Sequence, residues 1–103
     1  MFSEGVIAEA ARRLASAAPD ARVILFGSHA RGDAGPGSDL DFLVVEPEVE
    51  DAVAESVRLR RTLRGLGVFA DVIVISDRDA EEWRDVRGSL IYAAFADGRA
   101  IAA

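Results

Sequence analysis

The residues best suited to chemistry lie in two short segments, Gly27-Ser28 and Asp39-Leu40-Asp41, which ten residues separate. Glycine lets backbone amides approach a ligand closely because it has no Cβ. A serine at a helix start offers a hydroxyl and N–H groups to phosphate oxygens. Two carboxylates suit a hard cation, Mg²⁺ or Mn²⁺, and a multi-histidine zinc site is excluded because His29 is the only histidine. The pattern predicts a site for a phosphate-bearing ligand and a divalent cation.

A third acidic residue, Asp71, stands near the start of another apolar segment, residues 70–75. If that segment is a strand beside the one that carries Asp39 and Asp41, the three carboxylates share one edge. Three acids on adjoining strands can hold two metal ions about 4 Å apart, which is the arrangement for in-line displacement at phosphorus. Asp71 also has a plainer interpretation, since strand starts often carry a solvated aspartate.

Two apolar runs frame the polar segments. The run Val23–Phe26 is too short for a helix and predicts a strand buried on both faces. The run Asp39–Val45 predicts a second strand, whose period of two places Asp39 and Asp41 on the same face. A short helix is expected to begin near Ser28, followed by a glycine-rich loop over 32–38.

The remaining chain alternates between helical and strand patterns. Helices are predicted over 4–17, 49–64, 79–85 and 86–96, and strands over 70–75 and 99–102, with Ser3 as the first N-cap and Gly65 and Gly67 after the second helix. This alternation predicts an α/β (α+β) fold of two layers, with helices packed on a small mixed sheet of three to four strands.

Length and composition narrow the functional classes. A chain of 103 residues predicts one domain, 1–103. The absence of cysteine excludes disulfides and thiolate metal sites and agrees with the cytoplasm. No signal-peptide pattern or apolar run of about 18 residues is present, so no membrane association is expected. A net charge of −6 argues against stable binding to duplex nucleic acid.

The segment Leu25–Gly32, followed by Ser38–Asp41, resembles the GSx10DxD signature of the nucleotidyltransferase superfamily related to DNA polymerase beta. The resemblance extends from Val23 to about Ile75. The small size is similar to that of the minimal nucleotidyltransferases, the MNT-type antitoxins that are paired with HEPN toxins. The resemblance implies a single minimal domain of the nucleotidyltransferase fold.

The resemblance also implies roles in nucleotide binding. Gly27 and Ser28 would hold the triphosphate of ATP, although Ser28 could instead serve only as a helix cap. Arg31 would either contact phosphate or brace the loop that follows it. The neighbouring His29 is interpreted as a loop residue rather than a ligand or a base.

The three acids would form the catalytic and metal-binding set. The resemblance implies that Asp39, Asp41 and Asp71 coordinate Mg²⁺, two ions in all, and that Asp71 helps to deprotonate the acceptor hydroxyl. In the MNT family the acceptor is a tyrosine of the HEPN partner, an RNase toxin, and AMP transfer silences it. The resemblance therefore predicts a protein adenylyltransferase that acts as an antitoxin in a hetero-oligomer with its toxin.

Two other functions remain open. The chain could be a non-catalytic binding module of the same fold, although a degenerate copy would tend to have lost one of the three acids. It could also be a small-molecule nucleotidyltransferase that works with another subunit, for example on an aminoglycoside, because an acidic cleft suits a cationic drug. The arginines over 58–64 are interpreted as a solvated helix face that could dock an acidic partner, and Trp83, Tyr92 and Phe95 as core or partner-facing side chains.

Overall fold

The computed structural model describes residues 4–35 and 39–101. The predicted Ser3 cap, part of the 32–38 loop and the end of the last predicted strand lie outside these residues. The elements follow the predicted order: α1 (Glu4–Ala17), β1 (Arg22–Phe26), α2 (Ser28–Arg31), β2 (Leu40–Glu46), α3 (Ala52–Arg61), β3 (Ala70–Ser76), α4 (Asp77–Trp83), α5 (Leu90–Asp97) and β4 (Arg99–Ala100).

The four strands form one mixed sheet in the order β3-β2-β1-β4, which confirms the predicted fold class. Strand β2 pairs in parallel with β3 and antiparallel with β1, and β4 pairs antiparallel with β1. Helix α3 provides the crossover that a parallel pair requires. The end of β1 and the starts of β2 and β3 consequently meet at one edge of the sheet, which we call the site edge.

Both faces of the sheet are covered. Helices α1 and α3 pack on one face, against side chains that include Leu25 and Phe42, and helices α4 and α5 cover the other, over Ile24 and Leu43. Burial of such side chains stabilises the fold by roughly 1.5–3 kcal/mol each. Because the central strands are buried on both faces, their sequences are continuously apolar rather than alternating.

The predicted helix over 49–64 was too long at both ends. The helix begins at Ala52, because the side chain of Asp51 caps it by accepting a hydrogen bond from the Ala54 N–H at 3.0 Å. It ends at Arg61, and turns carry the chain to Gly65, whose φ of 87° suits glycine. Arg64 therefore lies beyond the helix rather than in its last turn.

The last two helices also differ from their predicted bounds. Helix α4 begins at Asp77 because the hydroxyl of Ser76 accepts the Asp79 N–H at 3.1 Å. Helix α5 begins at Leu90, four residues later than predicted, and Ser89 caps it. The helical spacing of apolar residues from position 86 suggested an earlier start, but Gly88 has a φ of 87°, which a continuous helix cannot include.

The aromatic side chains of these helices have different environments. Phe95 packs against the second core cluster and lies beneath the guanidinium groups of Arg22 and Arg84, at 5.8 Å and 4.7 Å from the ring centre. Trp83, in contrast, is 47% exposed. No helix in the described part of the chain combines the length and the apolar character that crossing a membrane requires.

A carboxyl pair at the far end of β2 makes the stability sensitive to pH. Burial, followed by hydrogen bonding and repulsion from Glu55, raises the pKa of Glu46 to about 7. Hydrogen bonds, first from Arg58 and then from Glu46, lower the pKa of Glu55 to about 2. The Arg58 Nε lies 2.6 Å from the Glu55 carboxylate. The folded state thus retains a proton on Glu46 at a pH where the unfolded chain has released it.

We expect Glu46→Gln to flatten the pH dependence of stability. Because the pKa of Glu46 is raised from 4.5 to about 7 on folding, the stabilisation that it contributes is present below pH 4.5 and is lost as the pH rises through about 7. The amide of the variant would remain neutral, so the variant should exceed the wild type by about 1 kcal/mol at pH 8 after allowance for solvent screening. Urea unfolding at pH 5 and pH 8 measures this, with the exposed Glu48→Gln as control. An equal decline in the variant and the wild type would contradict the assignment.

Candidate active site

The site edge brings the predicted residues of both segments together. Asp41 on β2 is the register partner of Asp71 on β3, and Phe26, the last residue of β1, is opposite Asp41. Gly27-Ser28 therefore follows directly on one side of Asp41, whereas Asp71 lies on the other side. Adjacent strands are about 4.8 Å apart, so the carboxylates of Asp41 and Asp71 start from neighbouring positions.

Asp39 lies immediately before β2, which begins at Leu40 rather than at the predicted Asp39. The carbonyl of Asp39 is 3.0 Å from Nδ1 of His29, and because a carbonyl only accepts, Nδ1–H is the donor. The Leu40 N–H donates to the carbonyl of Phe69 at 3.0 Å. Asp39 is thus held between α2 and the segment that leads into β3. His29 belongs to α2 and positions Asp39, a role that its local sequence did not indicate.

Gly27 makes the closest approach to the acidic residues. Its backbone has φ 76° and ψ −156°, a conformation that is essentially restricted to glycine. A Cβ on this residue would collide with Oδ2 of Asp41 and lie 3.3 Å from its Cγ. The backbone at position 27 therefore packs directly against the Asp41 carboxylate, which only glycine allows.

Helix α2 begins at Ser28, with Gly27 in the N-cap position and without a side-chain capping bond. The carbonyl of Gly27 accepts the N–H groups of Ala30 and Arg31, each at 3.1 Å. The interpretation of Ser28 as only a helix cap is therefore not supported. Ser28 is instead the first residue of the helix, and it follows directly on Gly27, the residue that packs against Asp41.

The electrostatic environment of Asp41 combines burial with like charges. Burial raises the pKa of its carboxyl, and the charges of Asp71 and then Asp39 raise it further, whereas those of His29 and Arg31 act in the opposite direction. Over residues 4–35 and 39–101, none of the three aspartates takes part in an ion pair. The site therefore concentrates negative charge with little internal compensation.

Arg31 is oriented along the loop in this structure. Its Nε lies 3.2 Å from Oδ2 of Asp33, a contact that corresponds to loop bracing, one of the two roles that the resemblance left open for it. Its charge also reaches Asp41, whose pKa it lowers. The side chain is exposed, so packing does not prevent it from turning toward a ligand.

The fit of these residues to a divalent cation rests on their chemistry. Within the described residues, no group of three or more carboxylate or imidazole side chains is gathered closely enough to hold a metal ion. The donors are nevertheless oxygen atoms of the type that Mg²⁺ prefers. Repulsion from Asp39 and Asp71 that raises the pKa of Asp41 is the kind of strain that a bound cation relieves. Because Asp39 and Asp71 are exposed, their side chains can rotate toward a cation without disturbing the core.

Comparison with known proteins places the chain in a family. The sequence-family model that describes the nucleotidyltransferase domain matches residues 7–97, from α1 to the end of α5. The chain belongs to the nucleotidyltransferase domain family. The match includes every predicted site residue, and it agrees with the superfamily that the two-part signature indicated.

Solved structures with the same architecture support the assignment. A protein from Sulfolobus solfataricus assigned as a nucleotidyltransferase is 26% identical, with a TM-score of 0.60 over 93% of this chain and 76% of that chain. A chain of a toxin–antitoxin complex with AMP-PNP is 19% identical, with a TM-score of 0.56 over 92% of this chain and 72% of that one, and shows the shared fold. No protein of curated function matches the chain.

Proposed function

We propose that this nucleotidyltransferase domain transfers AMP from ATP to a hydroxyl group of a partner protein and acts as an antitoxin. The acceptor in this proposal is a tyrosine of a HEPN-type RNase toxin, and the two proteins form a hetero-oligomer. The observation that carries the proposal is the backbone of Gly27 packed against Asp41, at the edge where Asp39 and Asp71 also lie. The turn that we propose to bind phosphate is thus adjacent to the three acids.

In the proposed mechanism, residues on one side of β2 bind the nucleotide, and Asp71 on the other side deprotonates the acceptor. The backbone of Gly27 and the N–H and hydroxyl groups of Ser28 bind the triphosphate, and Arg31 adds a positive charge. Asp71 accepts the proton of the acceptor hydroxyl. The hydroxyl oxygen then forms a bond to the α-phosphorus as the bond to pyrophosphate breaks, and pyrophosphate leaves.

The metal requirement follows from the charges. Asp39, Asp41 and Asp71 would hold Mg²⁺, with Mn²⁺ as a substitute, and the bound cations would neutralise the phosphates and align the attacking and leaving oxygens. Without such compensation, the three carboxylates would repel the triphosphate, since each adds a negative charge to the same edge. Burial is the largest cause of the raised pKa of Asp41, and the further contribution from the charges of Asp71 and Asp39 supports this part of the proposal.

The antitoxin role has separate support. A chain with this fold occurs in a toxin–antitoxin complex that contains AMP-PNP, so the architecture is compatible with both a toxin partner and an adenine nucleotide. All three acids, Asp39, Asp41 and Asp71, are present, whereas a degenerate non-catalytic copy would tend to have lost one of them. We therefore favour an active transferase over a module that neutralises its partner by contact alone.

A labelling experiment tests the proposal. The protein is incubated with α-labelled ATP, Mg²⁺ and the protein encoded beside it, and a parallel reaction contains an aminoglycoside instead. We expect label on the partner protein that disappears when EDTA removes the metal. Label on the aminoglycoside alone would establish the small-molecule function. Absence of label while the two proteins co-purify would establish the binding module.

A further inference from the structure

Three arginines at and just beyond the end of α3, Arg60, Arg61 and Arg64, differ from most others in the chain. Eight of the twelve arginines form ion pairs with carboxylates within the described residues. The exceptions are Arg60, Arg61, Arg64 and Arg87. Three of these four lie within five residues, where like charges repel one another. The chain has 18 acidic residues, yet none of them forms an ion pair with these arginines within the described residues. We therefore interpret this local excess of positive charge as a surface that binds an anionic ligand.

Two of these arginines line a groove at the site edge. The groove has a volume of ≈ 360 Å³, and its lining includes Arg60, Arg64, Phe69, Asp39 and Asp71. The two arginines and the two aspartates belong to the exposed side chains of the protein. The lining of the groove therefore combines two cationic side chains with two of the three carboxylates of the candidate active site.

The groove is held by contacts to its backbone. Nη1 of Arg13 on α1 donates to the carbonyls of Thr62 and Arg64, at 3.2 Å and 2.9 Å. The carbonyl of Phe69 accepts the N–H of Leu40 at 3.0 Å, although the Phe69 side chain is 78% exposed. An aromatic ring that lines the groove is thus exposed to solvent while its backbone is hydrogen-bonded to β2, and an exposed aromatic side chain in a groove is typical of a binding surface.

The position of the groove relative to the nucleotide side is set by the strand order. Strand β2 lies between β1 and β3, so Gly27-Ser28, which follows β1, is on the opposite side of β2 from Asp71. The groove borders Asp71 but not Gly27 or Ser28. It therefore opens on the side from which the group deprotonated by Asp71 would approach.

We infer that the groove binds the acceptor segment of the partner protein and that Arg60 and Arg64 select acceptors with a carboxylate next to the reacting hydroxyl. This inference rests on the proposed function and adds a specificity determinant to it. The ring of Phe69 would pack against an apolar or aromatic part of the same segment. Guanidinium groups favour carboxylates because they donate paired hydrogen bonds in matching geometry.

The charges favour an acidic protein segment over a nucleic acid. Asp39 and Asp71 form part of the same groove, and the whole chain carries a net charge of −6. A polyphosphate backbone would extend past the two arginines into this negative field. A protein segment can place one or two carboxylates against Arg60 and Arg64 and present a neutral hydroxyl to Asp71.

Binding of short peptides tests the inference without requiring catalysis. Fluorescein-labelled peptides with one tyrosine, flanked either by glutamates or by glutamines, are titrated with the wild type, the Arg60→Gln/Arg64→Gln variant and the Arg87→Gln variant. Arg87 is the matched control, because it also lacks an ion pair among the described residues and lies between α4 and α5. We expect the wild type and the control to prefer the acidic peptide, and the double variant to bind it about five- to tenfold more weakly. ATP affinity, measured for all three proteins, serves as a check that each is folded.

The outcomes separate this inference from the proposed function. A loss of the acidic preference in the double variant alone supports the inference, even if no peptide is adenylylated, in which case the proposed transfer activity is what fails. Equal affinity of the wild type for both peptides overturns the inference. Tighter binding of a ten-residue oligoadenylate than of the acidic peptide, again dependent on Arg60 and Arg64, also overturns it, because the groove would then recognise nucleic acid.

Discussion

Asp41→Asn is expected to abolish Mg²⁺-dependent nucleotidyl transfer and to leave the fold intact. Asparagine has nearly the same shape, but it lacks the negative charge that the proposed metal site requires. Loss of one carboxylate ligand from such a site should lower the transfer rate by about a thousandfold or more, which corresponds to roughly 4 kcal/mol. Stability should be unchanged or slightly higher, because burial and then the charges of Asp71 and Asp39 raise the pKa of Asp41, and a neutral amide removes both the cost of burying a charge and the repulsion.

The measurement combines label transfer with thermal unfolding of the same preparations. Asp20→Asn is a matched control, since Asp20 is an exposed acid in the loop between α1 and β1, away from the site edge. We expect this control to transfer label at the wild-type rate. Asp41→Asn with an unchanged rate would refute the assignment of Asp41 to the metal site, whatever its effect on stability.

Gly27→Ala should produce the second large effect, on activity and stability together. Alanine would have to adopt φ 76° and ψ −156°, and its Cβ would collide with Oδ2 of Asp41. The strain should lower the free energy of unfolding by about 1–3 kcal/mol. Displacement of the Asp41 carboxylate and of the first turn of α2 should lower transfer by about a hundredfold or more, since misplacement by about 1 Å has effects of this size.

A second substitution in the same background identifies the cause. Gly35→Ala is the control, because a Cβ at position 35 meets nothing within 4 Å, and its stability should remain close to that of the wild type. Adding Asp41→Ala to Gly27→Ala removes the colliding carboxylate, so the combined loss of stability should be smaller than the sum of the separate losses. Strictly additive losses would attribute the defect to the backbone conformation alone and contradict the collision.

The order of elements could be predicted because the signals are local. The apolar run Val23–Phe26 predicted a buried strand, and residues 70–75, apolar apart from Asp71, predicted another strand; the structure has strands at both places. The helix over 4–17 was predicted from its periodicity and confirmed with the same bounds. The starts of the later helices were predicted less accurately. The capping side chains of Asp51 and Ser89 and the positive φ of Gly88 set these starts, whereas the prediction relied on apolar periodicity.

In the candidate site, too, some features could be predicted from local sequence patterns and others could not. The spacing of Gly27-Ser28 and of Asp39 with Asp41 identified the superfamily, since the chemistry requires those residue types at that separation, and the family match confirms it. The pairing of Asp41 with Asp71 depends on a parallel register across the crossover that residues 47–69 form, for which no local pattern exists. The hydrogen bond from His29 to Asp39 likewise joins segments that only the folded loop brings together.

The amino-acid sequence by itself thus determined the family, the element types and the residues that could do chemistry, because short-range spacing and apolar patterning encode them. Only the tertiary structure decided that a Cβ at position 27 would collide with Asp41 and that Arg60, Arg64 and Phe69 line a groove beside Asp71. These are contacts between residues distant along the chain. Their distances depend on strand order, register and helix ends, which the whole fold determines at once.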